Sequence, residues 1–258
     1  METSKRGVAI CHYNRVLTLE KLITRVIDTV PQDCRVVVCD DGSDAVFSPQ
    51  EVHDISASDI CRKIGVPLIQ GRNLGVSANK NRALWALQDC HFMCILEDDL
   101  FPNAPGWMED YERASSLSGV HHFCRVQDKE VEETISSFSN FMISEGLTPI
   151  FGPSPRGDLT FLTSRVLKEV GGFNPAFIGA GYAHGEWTAR VVAAGLIPHP
   201  LKYVDIQEAR NKFEQIGDTE GGRWLQPNSL IQTQIKNNRK LLKQLQRTGY
   251  IYHPLVLS

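Results

Sequence analysis

The amino-acid sequence predicts an α/β fold, with an open, mostly parallel sheet and helices on both of its faces. Two observations support this prediction. Short apolar runs alternate with segments of helical periodicity over residues 1–100, as expected for strands that are buried on both faces. Acidic clusters directly follow two of these runs, where an open α/β sheet presents its loops. We expect one domain over residues 1–258, with halves of about residues 1–100 and 101–258.

The first half contains the clearest strand and helix patterns. Apolar runs predict four strands, over residues 7–11, 35–39, 66–70 and 91–96. Helical spacing of apolar residues predicts helices over 17–30 and 77–87, with Pro31 ending the first and Ser77 as the N-cap of the second. Right-handed connections between such elements make the sheet mostly parallel.

The second half is less regular. The patterns predict strands near 123–126 and over 158–162, and helices over 164–170, 185–194 and 231–245. Residues 146–157 are rich in Ser, Pro and Gly and predict a loop, and Gly195 ends the fourth helix. The last helix is polar and basic, which is typical of a solvated face or of a support for a lid.

The composition is that of an ordinary globular protein, with 42% hydrophobic and 22% charged residues. A formal net charge of -3 gives no basic surplus for binding nucleic acid. No apolar stretch approaches the roughly 18 residues of a transmembrane helix, and the N-terminus lacks the apolar run of a signal peptide. We therefore expect a cytoplasmic protein with seven reduced cysteines, and leave peripheral association with a membrane open.

Acidic clusters stand at the ends of the second and fourth predicted strands. Asp40 and Asp41 follow one strand, and Glu97, Asp98 and Asp99 follow the other. Ligands of open α/β sheets bind at the carboxyl ends of the strands. Neighbouring carboxylates repel one another unless a cation or hydrogen-bond donors neutralise them, and their oxygen atoms suit Mg²⁺ or Mn²⁺, which in turn bind diphosphates. The alternative is that these acids only cap turns and helices.

The absence of two glycine-containing motifs restricts the class of enzyme. The loop over residues 71–75 has neither the spacing of a P-loop nor a GxGxxG motif, which argues against a nucleoside-triphosphatase and an NAD-dependent dehydrogenase. A sugar nucleotidyltransferase also uses paired carboxylates and remains an alternative. Its glycine-rich phosphate loop should follow the first strand, however, where residues 11–15 of this chain read Cys-His-Tyr-Asn-Arg.

Four motifs occur in an order that resembles glycosyltransferase family 2 and its GT-A-fold relatives: VAICHYNR, VVVCDDGSD, GRNLGVSANKNRAL and CILEDDL. A downstream segment that begins GDLTFLTSRVLKEVGGF and ends GYAHGEWTARVVAAGL resembles the acceptor side of the same family. The resemblance covers about residues 7–200 and implies a GT-A-like fold, with a donor half followed by an acceptor half. It also implies metal-dependent transfer of a sugar, from a nucleotide-sugar such as a UDP-sugar, to a hydroxyl of a glycan or other acceptor.

The resemblance also implies which residues bind the nucleotide-sugar. They are Asp40, Asp41, Arg72, Asn73, Lys80, Arg82 and Asp98. Asp40 or Asp41 would accept a hydrogen bond from the base, and Asp98 would face the ribose or the sugar. The basic and amide side chains would hold the nucleotide or its phosphates.

Glu97, Asp98 and Asp99 occupy the place of the family's DxD motif. Asp99 is the expected direct ligand of Mn²⁺ or Mg²⁺, with Glu97 beside it. A further ligand could come from the C-terminal part, where His199 and His253 are candidates. His121 and His122 are also candidates, although dispersed histidines are more often core or surface residues.

The acceptor side contains the candidates for the catalytic base. Glu186 would deprotonate the acceptor hydroxyl, and attack opposite the leaving group would invert the anomeric configuration. Relatives often carry Glu-Asp here, whereas this chain has Glu186-Trp187, so His184 is the alternative base. Both residues could instead cap the helix. Trp187 is the candidate acceptor-binding residue: it would stack on an acceptor sugar if exposed, whereas it would belong to the core if buried.

Two further hypotheses remain open at this point. Residues 221–224, with Arg223, could form a loop that closes over the donor or an ordinary surface turn. The departure at Glu186-Trp187 also leaves room for a non-catalytic domain that binds nucleotide-sugars or glycans with the same fold.

Overall fold

The computed structural model describes the chain over residues 5–44, 46–48, 53–116, 118–124, 146–151, 155–179, 181–197, 204–215, 228–249 and 253–255. His199 and residues 221–224 fall outside these ranges, and so do the predictions made for them. Among the described helices, none combines the length and the apolar character that crossing a bilayer requires.

The expected elements of the first half are confirmed, with small shifts at their ends. In chain order the described elements are β1 (Arg6–His12), α1 (Val16–Thr29), β2 (Arg35–Asp40), β3 (Val46–Ser48), β4 (His53–Ile55), α2 (Ala57–Ile64), β5 (Leu68–Gln70), α3 (Val76–Leu87) and β6 (Phe92–Glu97). The β3–β4 hairpin and α2 were not predicted. Ser56 and Asp59 form a capping box at the start of α2, a local signal that the sequence does contain.

The described elements of the second half include the predicted helix at Ser164–Val170. They are β7 (Leu100–Pro102), α4 (Trp107–Ala114), β8 (Val120–Cys124), β9 (Pro149–Phe151), β10 (Pro155–Thr163), α5 (Ser164–Val170), α6 (Ala183–Ala193), β11 (Val204–Ile206), α7 (Gln207–Arg210), β12 (Phe213–Gln215) and α8 (Asn228–Thr248). Two strands, β9 and the start of β10, lie where the sequence predicts only a loop over 146–157.

Six strands form the main sheet, in the order β5-β2-β1-β6-β10-β8. The first four run parallel to one another, whereas β10 is antiparallel to both β6 and β8. The register places His12 opposite Asp40 and Cys11 opposite Glu97, so β1, β2 and β6 end at one edge of the sheet. The mostly parallel sheet expected from the sequence is confirmed, and both acidic clusters lie at this edge.

Helices cover both faces of the sheet. Along β1, Val8 and Ile10 pack into one apolar cluster with α1, α2 and α4, whereas Ala9 and Cys11 pack into another with α3, α5 and α6. This burial on both faces explains why β1 has a continuous apolar sequence instead of an alternating one. The six cysteines with described side chains are unpaired, as expected for reduced thiols.

The start of α3 differs from the prediction. The helix begins at Val76, and the residue before it is Gly75, whose φ of 90° is favourable for glycine and not for other residues. Ser77 lies inside the helix, and its Oγ donates a hydrogen bond to the carbonyl oxygen of Phe177, 3.0 Å away. The prediction of Ser77 as the N-cap was therefore wrong, because a tertiary contact uses its hydroxyl.

Candidate active site

Three carboxylates meet at the carboxyl edge of the sheet. Glu97 ends β6, Asp99 follows in the turn to β7, and Asp158 lies on β10. One carboxylate oxygen of each residue lies within 4.8 Å of the others. Leu159 pairs with Leu96 in the antiparallel register, which puts Asp158 opposite Glu97. The structure thus brings the two predicted metal ligands together and adds Asp158, which the sequence analysis did not identify.

The surroundings of Asp99 fit a bound cation. Burial, followed by the charges of Glu97 and Asp158, raises the pKa of Asp99 to about 7. Its Oδ1 atom is buried and has no hydrogen-bond partner among the described residues. A divalent cation would offset this concentration of negative charge, and carboxylate oxygens are the ligands that Mn²⁺ and Mg²⁺ prefer.

Asp98 contacts the loop that follows β1. Its carboxylate accepts a hydrogen bond from the backbone N–H of Tyr13 at 2.9 Å, and lies 2.9 Å from His12 Nδ1 and 3.4 Å from Arg15 Nε. These contacts fix the β1–α1 loop next to the three carboxylates. The side chain of Asp98 is 13% exposed, and its contact with a ribose or sugar stays a prediction.

Lys80 supports the cluster of three carboxylates from inside the protein. Its buried Nζ lies 2.5 Å from Glu97 Oε1, 2.6 Å from the carbonyl oxygen of Gly157 and 2.9 Å from His184 Nε2. An ammonium has three N–H donors, so these three acceptors satisfy it and leave none for a phosphate in this arrangement. A Cβ atom at Gly157 would lie 2.8 Å from His184 Nε2 and 2.9 Å from Glu97 Oε1, so only glycine fits beside the group.

Asp41 holds the loop over residues 71–75. Its buried carboxylate accepts hydrogen bonds from the backbone N–H groups of Leu74 and Gly75, at 3.1 and 2.8 Å. Arg82 Nη1 donates to the same carboxylate at 2.7 Å, and Arg82 Nη2 donates to the carbonyl oxygen of Arg72 at 2.8 Å. Both predicted nucleotide-binding residues, Asp41 and Arg82, therefore shape this loop.

Asp40 likewise stabilises the neighbouring loop through hydrogen bonds. Its carboxylate accepts hydrogen bonds from the backbone N–H and the Oγ of Ser43, and from Gln70 Nε2 at 2.9 Å. In contrast, Arg72 and Asn73 are exposed in the loop over 71–75. Of the predicted nucleotide-binding residues, these two are the most accessible to a ligand, whereas the contact of Asp40 or Asp41 with a base stays a prediction.

Glu186 is buried within α6 and paired with Arg190. Arg190 Nε and Nη2 donate to the two carboxylate oxygens at 2.7 and 3.1 Å. Arg190 also donates to the carbonyl oxygens of Val170 and Gly172, each at 2.7 Å. With no exposed surface and both oxygens engaged, Glu186 is in this conformation a structural ion pair that joins α6 to the end of α5.

His184 and Trp187 also have structural contacts. Burial, and then the nearby ammonium of Lys80, lower the pKa of His184 well below its usual value, and Lys80 lies against Nε2. A neutral imidazole engaged in this way is a weak base. Trp187 has no exposed surface, stacks on Phe173 with ring centroids 5.1 Å apart, and donates from Nε1 to the carbonyl oxygen of Gly171. The prediction that Trp187 binds the acceptor by stacking on a sugar is therefore wrong for this conformation, because the ring is buried in the core.

Among the described residues, His121, His122 and His253 do not belong to the cluster of three carboxylates. His121 and His122 are buried, and burial lowers their pKa values to about 4 and about 3. His122 Nε2 lies 2.9 Å from the hydroxyl of Thr188. The carbonyl oxygen of His253 accepts a hydrogen bond from Gly172 N at 2.9 Å, next to the Arg190 contacts. The third potential metal ligand is therefore Asp158 and not a described histidine.

Comparisons with known proteins show one family match and similar folds. Residues 7–113 match the family model of glycosyl transferase family 2. No curated protein matches the sequence. Two similar solved structures are the mannosyltransferase PcManGT from Pyrobaculum calidifontis, in complex with GDP-Man and Mn²⁺, and GalNAc-T7 with UDP, GalNAc and Mn²⁺.

The mannosyltransferase is 17% identical, with a TM-score of 0.50, and the match covers 78% of this chain and 56% of that chain. GalNAc-T7 is 14% identical, with a TM-score of 0.68, and the match covers 95% of this chain and 48% of that chain. At these identities the likeness concerns the fold, and the present chain spans about half the length of either structure. Residues 7–113 are thus similar in sequence to glycosyl transferase family 2, and the architecture of the described chain is that of the GT-A fold.

Proposed function

We propose that this chain is a metal-dependent glycosyltransferase that takes its sugar from a nucleotide-sugar. The observation that carries the proposal is the group formed by Glu97, Asp99 and Asp158 at the carboxyl edge of a family 2 sheet. The two similar structures contain Mn²⁺ together with a nucleotide-sugar or a nucleotide and a sugar. The same chemistry fits the oxygen ligands of this chain.

The three carboxylates would hold Mn²⁺ or Mg²⁺, and the cation would neutralise charge on the departing diphosphate. Lys80 keeps Glu97 in place through an ion pair with its buried ammonium, so the carboxylate needs little reorganisation when the cation binds. Exposed Arg72, on the neighbouring loop, would contribute donors to the phosphates.

The finer features of the reaction follow from the family resemblance. We propose a UDP-sugar as the favoured donor, a hydroxyl of a glycan or other acceptor as the nucleophile, and inversion at the anomeric carbon. Inversion needs a base for the acceptor hydroxyl. Glu186 remains the candidate, but it would have to separate from Arg190 to act, because both of its oxygens are engaged in the described conformation.

The test is release of nucleoside diphosphate from a panel of UDP-, GDP- and other nucleotide-sugars, with Mn²⁺, Mg²⁺ or EDTA. Asp99→Asn and Asp158→Asn should each reduce metal-dependent release by more than the roughly 10–100-fold that loss of an outer-shell partner costs. Asp28→Asn, an exposed acid on α1, serves as the matched control and should retain release. Release that is equal in EDTA, or no binding of any nucleotide, would refute the proposal.

A second candidate is a domain that binds nucleotide-sugars without transferring them. One observation favours it: both candidate bases, Glu186 and His184, are engaged with Arg190 and Lys80. Metal-dependent binding of UDP, measured by calorimetry, together with no release from any donor in the presence of varied acceptors, would support this candidate. Turnover of a single donor would eliminate it.

A further inference from the structure

The C-terminal helix α8 carries a strongly basic face that the proposed function does not use. Residues 228–248 contain five cations and no Asp or Glu. We call these cations the α8 cationic face: Lys236, Arg239, Lys240, Lys243 and Arg247. All five are exposed, and none forms an ion pair with any residue in the described part of the chain. This surplus of positive charge is confined to α8, because the whole chain has a formal charge of -3.

The spacing of the five cations puts them on one side of the helix. Relative to Lys236 they stand three, four, seven and eleven residues further on, and at about 100° per residue they fall within a stripe about 100° wide. At a rise of about 1.5 Å per residue the stripe is about 17 Å long. The result is a straight, convex row of positive charge.

The opposite side of α8 is fixed to the protein. Leu241, Leu242 and Leu245 are partly buried and pack against the apolar cluster that contains α3, α5 and α6. Asn238 donates hydrogen bonds to the carbonyl oxygens of Ile178 and Gly181, each at 3.0 Å. These contacts orient the helix so that its cations point into solvent.

We propose that the α8 cationic face docks this protein on a bilayer surface that carries anionic phospholipid headgroups. A convex row of cations matches a plane of phosphates better than a compact anion, which needs donors that converge on it. Two exposed apolar side chains adjoin the helix, Leu230 in its first turn at 45% and Ile178 in the loop bonded to Asn238 at 63%. Both side chains lie outside the cationic stripe, so the choice of a lipid surface rests on the fit between a straight row of cations and a plane of phosphates.

The docking does not rest on the proposed function and is tested without catalysis. Flotation of the full chain would be measured with vesicles of phosphatidylcholine alone and of equal parts phosphatidylcholine and phosphatidylglycerol. We expect binding to the anionic vesicles only, with release at high salt, because most of the attraction is electrostatic. Replacing three cations in the variant Lys236→Gln, Lys240→Gln, Lys243→Gln should lower the partition coefficient on the order of 100-fold.

A matched variant separates the α8 cationic face from net charge. Lys21→Gln, Lys63→Gln and Lys168→Gln together remove the same three charges from exposed positions on α1, α2 and α5, and should leave vesicle binding near the wild-type level. Circular dichroism would show that both variants are folded. Equal binding to neutral vesicles, equal loss in both variants, or binding to duplex DNA but not to anionic vesicles would each overturn the proposal.

Discussion

Lys80 Nζ lies 2.5 Å from Glu97 Oε1, so one acid of the candidate metal site is paired with a buried ammonium. The same ammonium contacts His184 Nε2, which connects α6 to the carboxylate edge of the sheet. Lys80 therefore connects Glu97, a predicted metal ligand, with His184, a predicted alternative base on the acceptor side. It acts as a positioning residue, and its contribution can be measured apart from any reaction.

Replacing Lys80 with Met should lower stability and raise the pKa of His184. The variant leaves Glu97, Gly157 O and His184 without a charged donor, which costs about 2 kcal/mol of unfolding free energy. The pKa of His184 should rise because the Lys80 charge contributes to lowering it, but burial should keep it below its usual value. Urea unfolding and an NMR titration of His184 measure the two effects, with exposed Lys63→Met as the control; an unchanged His184 pKa would contradict the assignment.

Gly157→Ala should weaken metal binding through a steric effect. The added Cβ would lie within 3 Å of both Glu97 Oε1 and His184 Nε2, so one of these groups must move. We expect Mn²⁺ affinity, measured by calorimetry, to fall by about tenfold or more, as when a supporting partner is lost. Gly65→Ala is the control, because it strains a left-handed residue with φ of 85° by about 1–2 kcal/mol but has open space around it. Equal affinities in both variants would show that Gly157 does not shape the site.

Glu186→Gln should distinguish a structural ion pair from a catalytic base. Breaking the buried pair leaves Arg190 without its countercharge, which costs about 3–5 kcal/mol of unfolding free energy. Adding Arg190→Met should recover part of this loss, since it removes the unpaired charge. If Glu186 is also the base, the single variant should lose sugar transfer as well as stability while still binding UDP, and adding Arg190→Met should not restore transfer.

His121→Phe should reduce the acid sensitivity of the fold. Burial lowers the pKa of His121 to about 4, against 6.5 when unfolded, so between these two pH values the unfolded chain takes up the proton and the folded chain does not. Wild-type stability should therefore fall as pH decreases from 7 towards 4, with this residue accounting for about 2 kcal/mol between pH 7 and 5.

Phe at position 121 keeps the ring contacts with Tyr111 and Phe161 and removes the titration. Urea unfolding at pH 7 and pH 5 measures the difference between the variant and the wild type. Phe161→Leu is the control, because it weakens the same ring cluster by a similar amount at both pH values. If His121→Phe retained the full wild-type dependence on pH, proton uptake by His121 would not be the cause.

Most of the fold follows from local patterns in the sequence. Continuous apolar runs define β1, β2 and β6 because these strands are buried on both faces, and helical periodicity defines α1 and α5. The position of both acidic clusters at one edge follows too, since parallel strands share their carboxyl ends. The N-cap at Ser77 was mispredicted because the partner of its hydroxyl, Phe177, is remote in sequence.

The sequence by itself determined the open α/β sheet, the acidic edge and the two carboxylates Glu97 and Asp99. Only the tertiary structure decided that Asp158 joins them, because the antiparallel register of β10 on β6 depends on contacts between residues about 60 positions apart. The same holds for Glu186 and Trp187, whose residue types suit catalysis and sugar stacking. The i,i+4 spacing of Glu186 and Arg190 does allow their ion pair, but the burial of that pair and the stacking of Trp187 on Phe173 depend on how α6 packs on the sheet.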